Sequence, residues 1–170
     1  MNRLTRIGVA VALAAASSLA ISQAPPGPPG GGGPGANPEA AAKAAIETRQ
    51  AVFKLIGNQN GPVGGAARAP APDLAVIARN AARIQTLADM IPELFTANPT
   101  APASVKTRAL PVIWTGKADF DAKAAALSKA AAAVAAAAKS GNVEATKAAS
   151  AQVGSACQGC HETYRGPAAP

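Results

Sequence analysis

Two cysteines and a histidine near the C-terminus carry the clearest chemistry in this sequence. Cys157 and Cys160 are three residues apart, and His161, the only histidine in the chain, follows directly. Residues at this spacing lie on one face of a helix, so each thiol can add to one of the two vinyl groups of a porphyrin edge. The adjacent imidazole can then swing beneath the ring and ligate iron. The pattern predicts one covalently attached haem c, with thioethers at both cysteines and His161 as the axial ligand.

Three other interpretations compete for these residues. A structural zinc site normally has four Cys or His ligands, whereas the whole chain has two cysteines and one histidine. A thioredoxin-like dithiol opens a helix after a strand in a βαβ unit, and this pair lies at the far end of the chain. A disulfide between Cys157 and Cys160 suits an oxidising compartment but leaves His161 unexplained. We favour haem attachment because it uses all three residues.

The composition predicts an all-α protein. Hydrophobic residues make up 49% of the 170 residues but aromatic ones only 3%. Much of the apolar content is alanine, which favours helix and adds little core volume, while residues suited to a sheet are few. A bundle of this size therefore needs something besides protein to fill its centre, and haem is suited to that place. The complete set of large rings is Phe53, Phe95, Trp114, Phe120 and Tyr164.

The charge of the chain argues against a nucleic-acid partner. Sixteen Lys and Arg residues and nine Asp and Glu residues give a formal net charge of +7. The basic residues are scattered singly along the sequence, without the clustered stripe and interleaved aromatic residues that bind a phosphate backbone. A solvated surface is the expected role of these charges.

The N-terminus is typical of an export signal. Arg3 and Arg6 precede an uncharged, mostly apolar run over 7–21, which is shorter than the roughly 20 apolar residues of a membrane span. A cleaved signal peptide over 1–24 is therefore favoured over an uncleaved anchor, with cleavage after Ala24 or, alternatively, after Ser22. A Pro/Gly-rich flexible leader over 25–37 follows. These features predict a periplasmic protein with no membrane association once the signal is removed.

Turn and capping signals divide the remainder into four helices. Asn37 is an N-cap candidate before Pro38 at the first helical position; this helix can gain a further turn or two before Pro62. Pro92 is expected to kink the second helix, and Gly141 separates the third from the fourth. The expected helices lie at about 38–57, 73–97, 117–139 and 142–164. The helices are joined by one long connection over 98–116 and two short ones, which predicts an antiparallel four-helix bundle. The bundle domain is expected at 38–165, with a C-terminal tail at 166–170.

Several sequence elements together resemble the cytochrome c′ family, the class II c-type cytochromes of bacteria. They are the ending CQGCHETYR over 157–165, the stretch RQAVF over 49–53, and the pairs Ile113-Trp114 and Asp119-Phe120. The resemblance spans about 38–165. It implies a haem protein that transfers single electrons to an unidentified periplasmic redox partner, binds small diatomic gases such as NO and CO, or does both. It also implies a homodimer through the first two helices.

Arg49 is the basic residue best placed to meet the cofactor. The buried side of the first helix is expected to contain Ala42, Ile46, Phe53 and Ile56, and Arg49 is spaced to lie beside that face. A buried, unpaired guanidinium is costly, so a haem propionate is its expected partner, in agreement with the resemblance. The alternative is a side chain that extends to the bundle edge, where water solvates its guanidinium.

Arg165 follows His161 by four residues, one helical turn on. The resemblance places a basic residue at the proximal side of the haem here. The alternative is an exposed cation that interacts with the helix dipole. Tyr164 and Trp114 are expected to be packing residues rather than redox relays.

The sixth iron ligand separates two functions. Low-spin relatives in the resembled family place a methionine where this chain has Phe53, and a phenylalanine ring cannot ligate iron. Met90, the only methionine outside the signal segment, is expected in the core. The prediction is a five-coordinate, high-spin haem with Phe53 over its distal face; a low-spin, six-coordinate electron carrier is the alternative. No enzymatic activity is expected, because peroxidase chemistry needs a distal acid/base pair and no second histidine exists.

Overall fold

The computed structural model describes residues 37–66, 68–99, 102 and 105–167. The predicted signal peptide over 1–24 lies outside this part of the chain, as does the predicted leader over 25–37 except for its last residue, Asn37. Within it the fold is helical, and the only β-type pairing is one antiparallel bridge between Ala109 and Arg165. The helices are α1 (Pro38–Ala66), α2 (Leu74–Asp89), α3 (Ile91–Leu94), α4 (Val112–Thr115), α5 (Lys117–Lys139) and α6 (Val143–Tyr164).

Helix α1 is longer than its sequence predicted. It passes through Pro62 and ends at Ala66, although proline cannot donate the backbone hydrogen bond of a helix interior. Val63 and Ala66 are almost fully buried in the last turn. Their burial against the rest of the core holds the chain helical beyond the proline.

The second predicted helix is divided in two. The helix start near residue 73 is as expected, and Asp73 caps α2, because its Oδ1 accepts a hydrogen bond from the Val76 backbone N–H at 3.0 Å. The helix ends at Asp89, however, and α3 begins at Ile91, because Pro92 lacks the N–H that would bond the Ala88 carbonyl. Met90 lies at this break with 43% of its surface exposed. Its predicted place in the core is therefore wrong.

The α5–α6 pair follows the predicted pattern. Helix α5 covers Lys117–Lys139 as expected. Gly141 then adopts φ +77°, a left-handed conformation that glycine tolerates best. Asn142 caps α6 by accepting a hydrogen bond from the Ala145 N–H at 2.9 Å. The buried seam of α5 consists of Phe120, Ala124, Leu127, Ala131, Val134, Ala135 and Ala138.

The four long helices form the predicted antiparallel bundle. Helix α2 packs mainly against α5, and α5 against α6, while α1 lies beside α2. The Phe95 ring, just after α3, is 4.9 Å from the Phe120 ring in the first turns of α5, which shows that α2 and α5 run in opposite directions. We call the end with the two short connections, 68–73 and 140–142, the turn end. The opposite end, where α6 finishes, is the cysteine end.

The long connection between the second and third long helices crosses the cysteine end. The Leu110 N–H donates to the Tyr164 carbonyl at 3.1 Å, and the Gly166 N–H donates to the Arg108 carbonyl at 2.7 Å. Gly166 is buried, so the predicted C-terminal tail begins as part of the fold. No helix in the described part of the chain is long and apolar enough to span a membrane.

Candidate functional site

Cys157, Cys160 and His161 lie in the last two turns of α6. Both cysteines are free and half-buried, and both pack against the hydrophobic core. Burial raises the pKa of the Cys157 thiol; it also raises that of Cys160, which the positive charge of Lys123 partly offsets. Both thiols are therefore protonated and neutral at neutral pH, and both lie at the boundary of the core.

His161 is exposed beside two cations. Its Nδ1 lies 3.4 Å from Nη1 of Arg165. Partial burial lowers the pKa of the imidazole, and the positive charges of Arg165 and Arg108 lower it further. The neutral imidazole that results is the form that ligates a metal. Within the described residues, no three His, Cys, Asp or Glu side chains are grouped so as to hold a metal ion by themselves.

Arg49 is buried on the inner side of α1, with 6% of its surface exposed. Its Nε donates to the Leu94 carbonyl at 2.6 Å, and its Nη2 donates to the Ala97 carbonyl at 2.8 Å. The guanidinium also lies 4.6 Å from the centre of the Phe95 ring. Burial lowers its pKa. The side chain thus does not extend to water, and two of the five N–H donors of a guanidinium are used on backbone carbonyls.

Phe53 lies one turn beyond Arg49 on α1, but it is not part of the buried face. Its exposed fraction is 37%, whereas Val52 is 6% exposed. Ile46 and Ile56 are buried as predicted. Ala42 is only half-buried, and the expected buried set was wrong at Phe53. The ring meets Phe95 edge-on at 6.2 Å between centroids, and its remaining surface is open to contact with a large flat ligand.

The five aromatic rings form one continuous group at the cysteine end. Phe95 lies at its centre, with the Trp114 ring at 6.0 Å and the Phe120 ring at 4.9 Å. Tyr164 meets Phe120 edge-on at 5.2 Å, and its hydroxyl donates to Asp119 Oδ2 at 2.7 Å. The packing role predicted for Tyr164 agrees with these contacts.

Trp114 has a feature that sequence reasoning missed. Its indole Nε1 is buried and, among the described residues, has no hydrogen-bond partner. The guanidinium of Arg49 lies 5.6 Å from the centre of the same ring. An unsatisfied buried donor costs about 1–3 kcal/mol, and a carboxylate near Arg49 could satisfy it. No sequence signal distinguishes such a tryptophan from one that only packs.

These residues fit a covalently attached haem. Two half-buried thiols and a neutral imidazole lie at the end of α6. The exposed ring of Phe53 lies on α1, and the buried donors of Arg49 and Trp114 belong to the same end of the bundle. A separate groove of about 660 Å³ reaches Arg49 from the first turns of α1, but no residue of α6 lines it. The fit therefore rests on the donors and rings at the cysteine end rather than on that groove.

Comparison with known proteins identifies the family. The family model of cytochrome c′ matches residues 44–165. Cytochrome c′ of Rubrivivax gelatinosus is 37% identical over 122 residues, which cover 71% of this chain and 93% of that protein. A solved structure of cytochrome c′ from Shewanella frigidimarina is similar, with 38% identity and a TM-score of 0.65. The match covers 74% of this chain and 97% of that one.

A second similar structure is a nitric oxide complex of a mutant cytochrome c′ from Alcaligenes xylosoxidans. It is 28% identical, with a TM-score of 0.63, and the alignment covers 75% of this chain and 97% of that one. Homologues in this family carry covalently bound haem c. The chain belongs to the cytochrome c′ family, and its cofactor is covalently bound haem c.

Proposed function

We propose that this protein is a periplasmic haem protein with five-coordinate, high-spin iron, which transfers single electrons, binds small diatomic gases, or does both. The observation that carries the proposal is Phe53, a half-exposed ring one turn from Arg49 that can neither ligate iron nor donate a hydrogen bond. The nitric oxide complex of the similar Alcaligenes protein supports the gas-binding part.

Cys157 and Cys160 hold the cofactor, and His161 ligates its iron from the proximal side. When bound, haem supplies an iron that changes its charge by one electron and can take a diatomic ligand. Arg165 lies against the His161 ring, where it limits rotation of the imidazole. Its positive charge also helps to keep the ring neutral.

Phe53 covers the distal side. Its apolar ring excludes anions and gives no hydrogen bond to oxygen, whereas CO and NO depend little on hydrogen bonding. A ligand reaches the iron only when the ring moves aside. With no second histidine in the chain, this side offers no imidazole for acid/base catalysis, and we propose no enzymatic activity.

Arg49 and Trp114 receive the propionates. The guanidinium retains donors beyond its two bonds to the carbonyls of Leu94 and Ala97, and the indole N–H has no other partner among the described residues. A carboxylate between them satisfies both groups and neutralises the buried cation. Arg49 then connects the cofactor to the end of α3.

Export and pairing complete the proposal. The basic and apolar N-terminal segment directs the chain to the periplasm, where it meets its redox partner.

A homodimer forms through α1 and α2, which share a surface groove of about 840 Å³. Leu55, 47% exposed, lines this groove, and its burial against a second copy favours association.

The binding kinetics of CO test this function. Ferrous holoprotein is mixed with CO, and the association rate is followed by absorbance. We expect slow binding in the wild type and faster binding in Phe53→Ala. Lys54→Ala is the control, since it shortens an exposed side chain next to Phe53 on α1, and it leaves the rate unchanged.

A second substitution at the same position tests the iron's open coordination site. Phe53→Met supplies a thioether and is expected to give a low-spin, six-coordinate spectrum. A wild-type ferrous protein that is already low-spin and does not bind CO contradicts the gas-binding proposal. It would establish the electron carrier with two axial ligands instead.

A further inference from the structure

One extended segment connects the two helices that flank the proposed cofactor. Gln50 Nε2 on α1 donates to the Lys106 carbonyl at 2.7 Å. The same segment then pairs with the chain after α6, where Gly166 N–H donates to the Arg108 carbonyl at 2.7 Å. Residues 105–110 therefore extend from the helix that carries Arg49 to the helix that carries both cysteines.

This pairing brings together three cations that are distant in sequence. Lys106, Arg108 and Arg165 are all exposed. Arg108 Nε donates to the Gly166 carbonyl at 2.8 Å, which holds its guanidinium at the end of α6. Arg165 lies against His161 at 3.4 Å. We call these three residues the basic face.

Within the described residues, the basic face contains no ion pair, whereas some other cations do form one. Four lysines there pair with an acid three or four positions away: Lys43, Lys117, Lys123 and Lys147. None of the ion pairs in that part of the chain includes Lys106, Arg108 or Arg165. Residues 105–110 contain no acid. Glu162 is the acid next to His161, and it accepts a hydrogen bond from Gln158 Nε2 at 2.8 Å.

We propose that the basic face is the docking surface for an acidic redox protein that exchanges one electron with the haem. The proposal rests on the proposed function, because it needs haem at Cys157, Cys160 and His161. An electron crosses a short distance most readily, and Arg165 lies directly beside the axial ligand. Complementary charge around such a point steers the partner and raises its association rate.

The size of the basic face favours a protein over other anionic partners. Three cations without an adjoining aromatic stripe are too few for a nucleic-acid backbone. An anionic membrane surface is typically bound by clusters of four to eight basic residues. An acidic protein needs only a few opposed charges for orientation, with the remaining contact made by the rim of the interface.

Electron transfer from reduced flavodoxin, an acidic one-electron donor, tests the proposal. Flavodoxin loses one electron and the ferric iron gains it, so the rate is followed at the haem absorbance in a stopped-flow instrument. The variant is Lys106→Glu, because the Lys106 side chain makes no hydrogen bond or ion pair within the described residues. The matched control is Lys139→Glu, which makes the same charge change at the turn end.

We expect Lys106→Glu to lower the second-order rate constant roughly threefold to tenfold at low ionic strength. The difference fades as salt screens the charges, and Lys139→Glu has little effect. Arg108→Gln removes one charge without reversing it, and we expect a smaller decrease. The midpoint potential of each variant is measured alongside, since a docking effect leaves it unchanged.

Equal rates in Lys106→Glu and Lys139→Glu would overturn the docking surface, as would a rate change that simply follows the midpoint potential. The absorption spectrum of the wild type is recorded first. A protein without covalent haem contradicts the proposed function itself, whereas a normally loaded haem with no charge effect contradicts only the basic face.

Discussion

The two ends of the bundle are built on different principles. At the turn end, the core consists mainly of small and β-branched side chains. Val63, Ala131, Val134 and Thr146 are fully buried there. The polar members satisfy themselves locally, as when Ser150 Oγ donates to the Thr146 carbonyl at 2.8 Å. Asn60 Oδ1, in the second half of α1, is the exception, because it is buried without a hydrogen-bond partner among the described residues. The described part of this end contains no aromatic ring.

The cysteine end has the opposite character. It contains every large ring of the chain, a buried cation at Arg49 and a half-exposed ring at Phe53. It also contains the buried indole N–H of Trp114, which has no partner among the described residues. These are features that a flat apolar group bearing carboxylates would complete. We therefore propose that alanine packing stabilises one end, and that haem stabilises the other.

Removal of the covalent attachment is the largest perturbation of this comparison. In the double variant Cys157→Ala/Cys160→Ala, made without haem, the cysteine end loses apolar contact that contributes about 25 cal/mol per Å². We expect a poorly ordered helical protein with a broad melt. Hydrogen exchange is expected to show weak protection near Tyr164 and stronger protection near Val134.

Ser155→Ala is the control for this variant, because Ser155 is exposed on the same helix and its replacement keeps both thiols. It is expected to melt like the wild-type holoprotein. A sharp, cooperative melt of the double variant near the holoprotein's temperature would refute the stabilising role of haem.

A cavity at the turn end is expected to act independently of the cofactor. Ile77 is 2% exposed in the first turn of α2. Ile77→Ala is expected to lower the free energy of unfolding by about 2–5 kcal/mol, and the milder Ile77→Val by about 0.5–1.5 kcal/mol. Denaturant titration of the holoprotein measures both. If instead the cavity releases or perturbs the haem, seen as a changed spectrum before unfolding, the two ends are not separate.

We propose that Arg49 joins the cofactor to the protein scaffold, so two effects are expected from its replacement. Arg49→Leu leaves the carbonyls of Leu94 and Ala97 without their donor, and we expect a loss of about 1–3 kcal/mol in unfolding free energy. It is also expected to shift the reduction potential downward, since a nearby cation favours the reduced, less positive iron. Covalent attachment remains intact.

Arg49→Lys separates these two effects. It keeps the positive charge but cannot bond both carbonyls with the fixed geometry of a guanidinium. The potential is expected to stay close to the wild-type value while part of the stability is lost. An Arg49→Leu protein with an unchanged potential at low ionic strength would show that Arg49 only supports α3.

Tyr164 gives the smallest expected effect, confined to high pH. Its hydrogen bond to Asp119 is the main cause that raises the pKa of Tyr164 from 10.0 to about 12. The neutral phenol is therefore favoured by folding: its stabilisation is complete below the unfolded pKa of 10.0 and is lost as the pH rises through about 12. In the holoprotein both thiols are thioethers and do not contribute.

Tyr164→Phe removes this titration. Denaturant melts between pH 9 and 12 are expected to show a steeper loss of stability in the wild type than in the variant. Because Tyr164 is the only tyrosine, its phenolate absorbance reports the same titration directly. Parallel pH profiles of the two proteins would contradict the hydrogen bond's contribution.

Local signals were sufficient for much of the fold. Asp73 and Asn142 were both predicted near helix starts, and each caps its helix through a side-chain oxygen. The extension of α1 beyond Gly57 was underestimated because burial of Val63, a tertiary effect, outweighs the proline. The second predicted helix is interrupted earlier than expected, at Met90. Pro92 has no N–H to donate to the carbonyl one turn earlier in the chain, so the helix breaks before the proline.

Only part of the site could be predicted from the sequence, because some of its contacts join segments that are distant in the chain. The placement of Cys157, Cys160 and His161 together at the end of α6 follows from spacing alone. The carbonyl partners of Arg49 come from another helix, and no periodicity within α1 predicts them. The basic face also depends on pairing between distant segments, which a sequence of singly scattered cations does not indicate.

Pyridine haemochrome spectroscopy tests the central claim most directly: haem attached to Cys157 and Cys160 completes the cysteine end. The full chain is expressed with the c-type maturation system, and the cofactor is then extracted with acid and organic solvent. We expect a c-type haemochrome with about one haem per chain that stays with the protein, and none in Cys157→Ala/Cys160→Ala. A wild-type protein whose haem is absent, or is fully extracted by the solvent, would contradict the account.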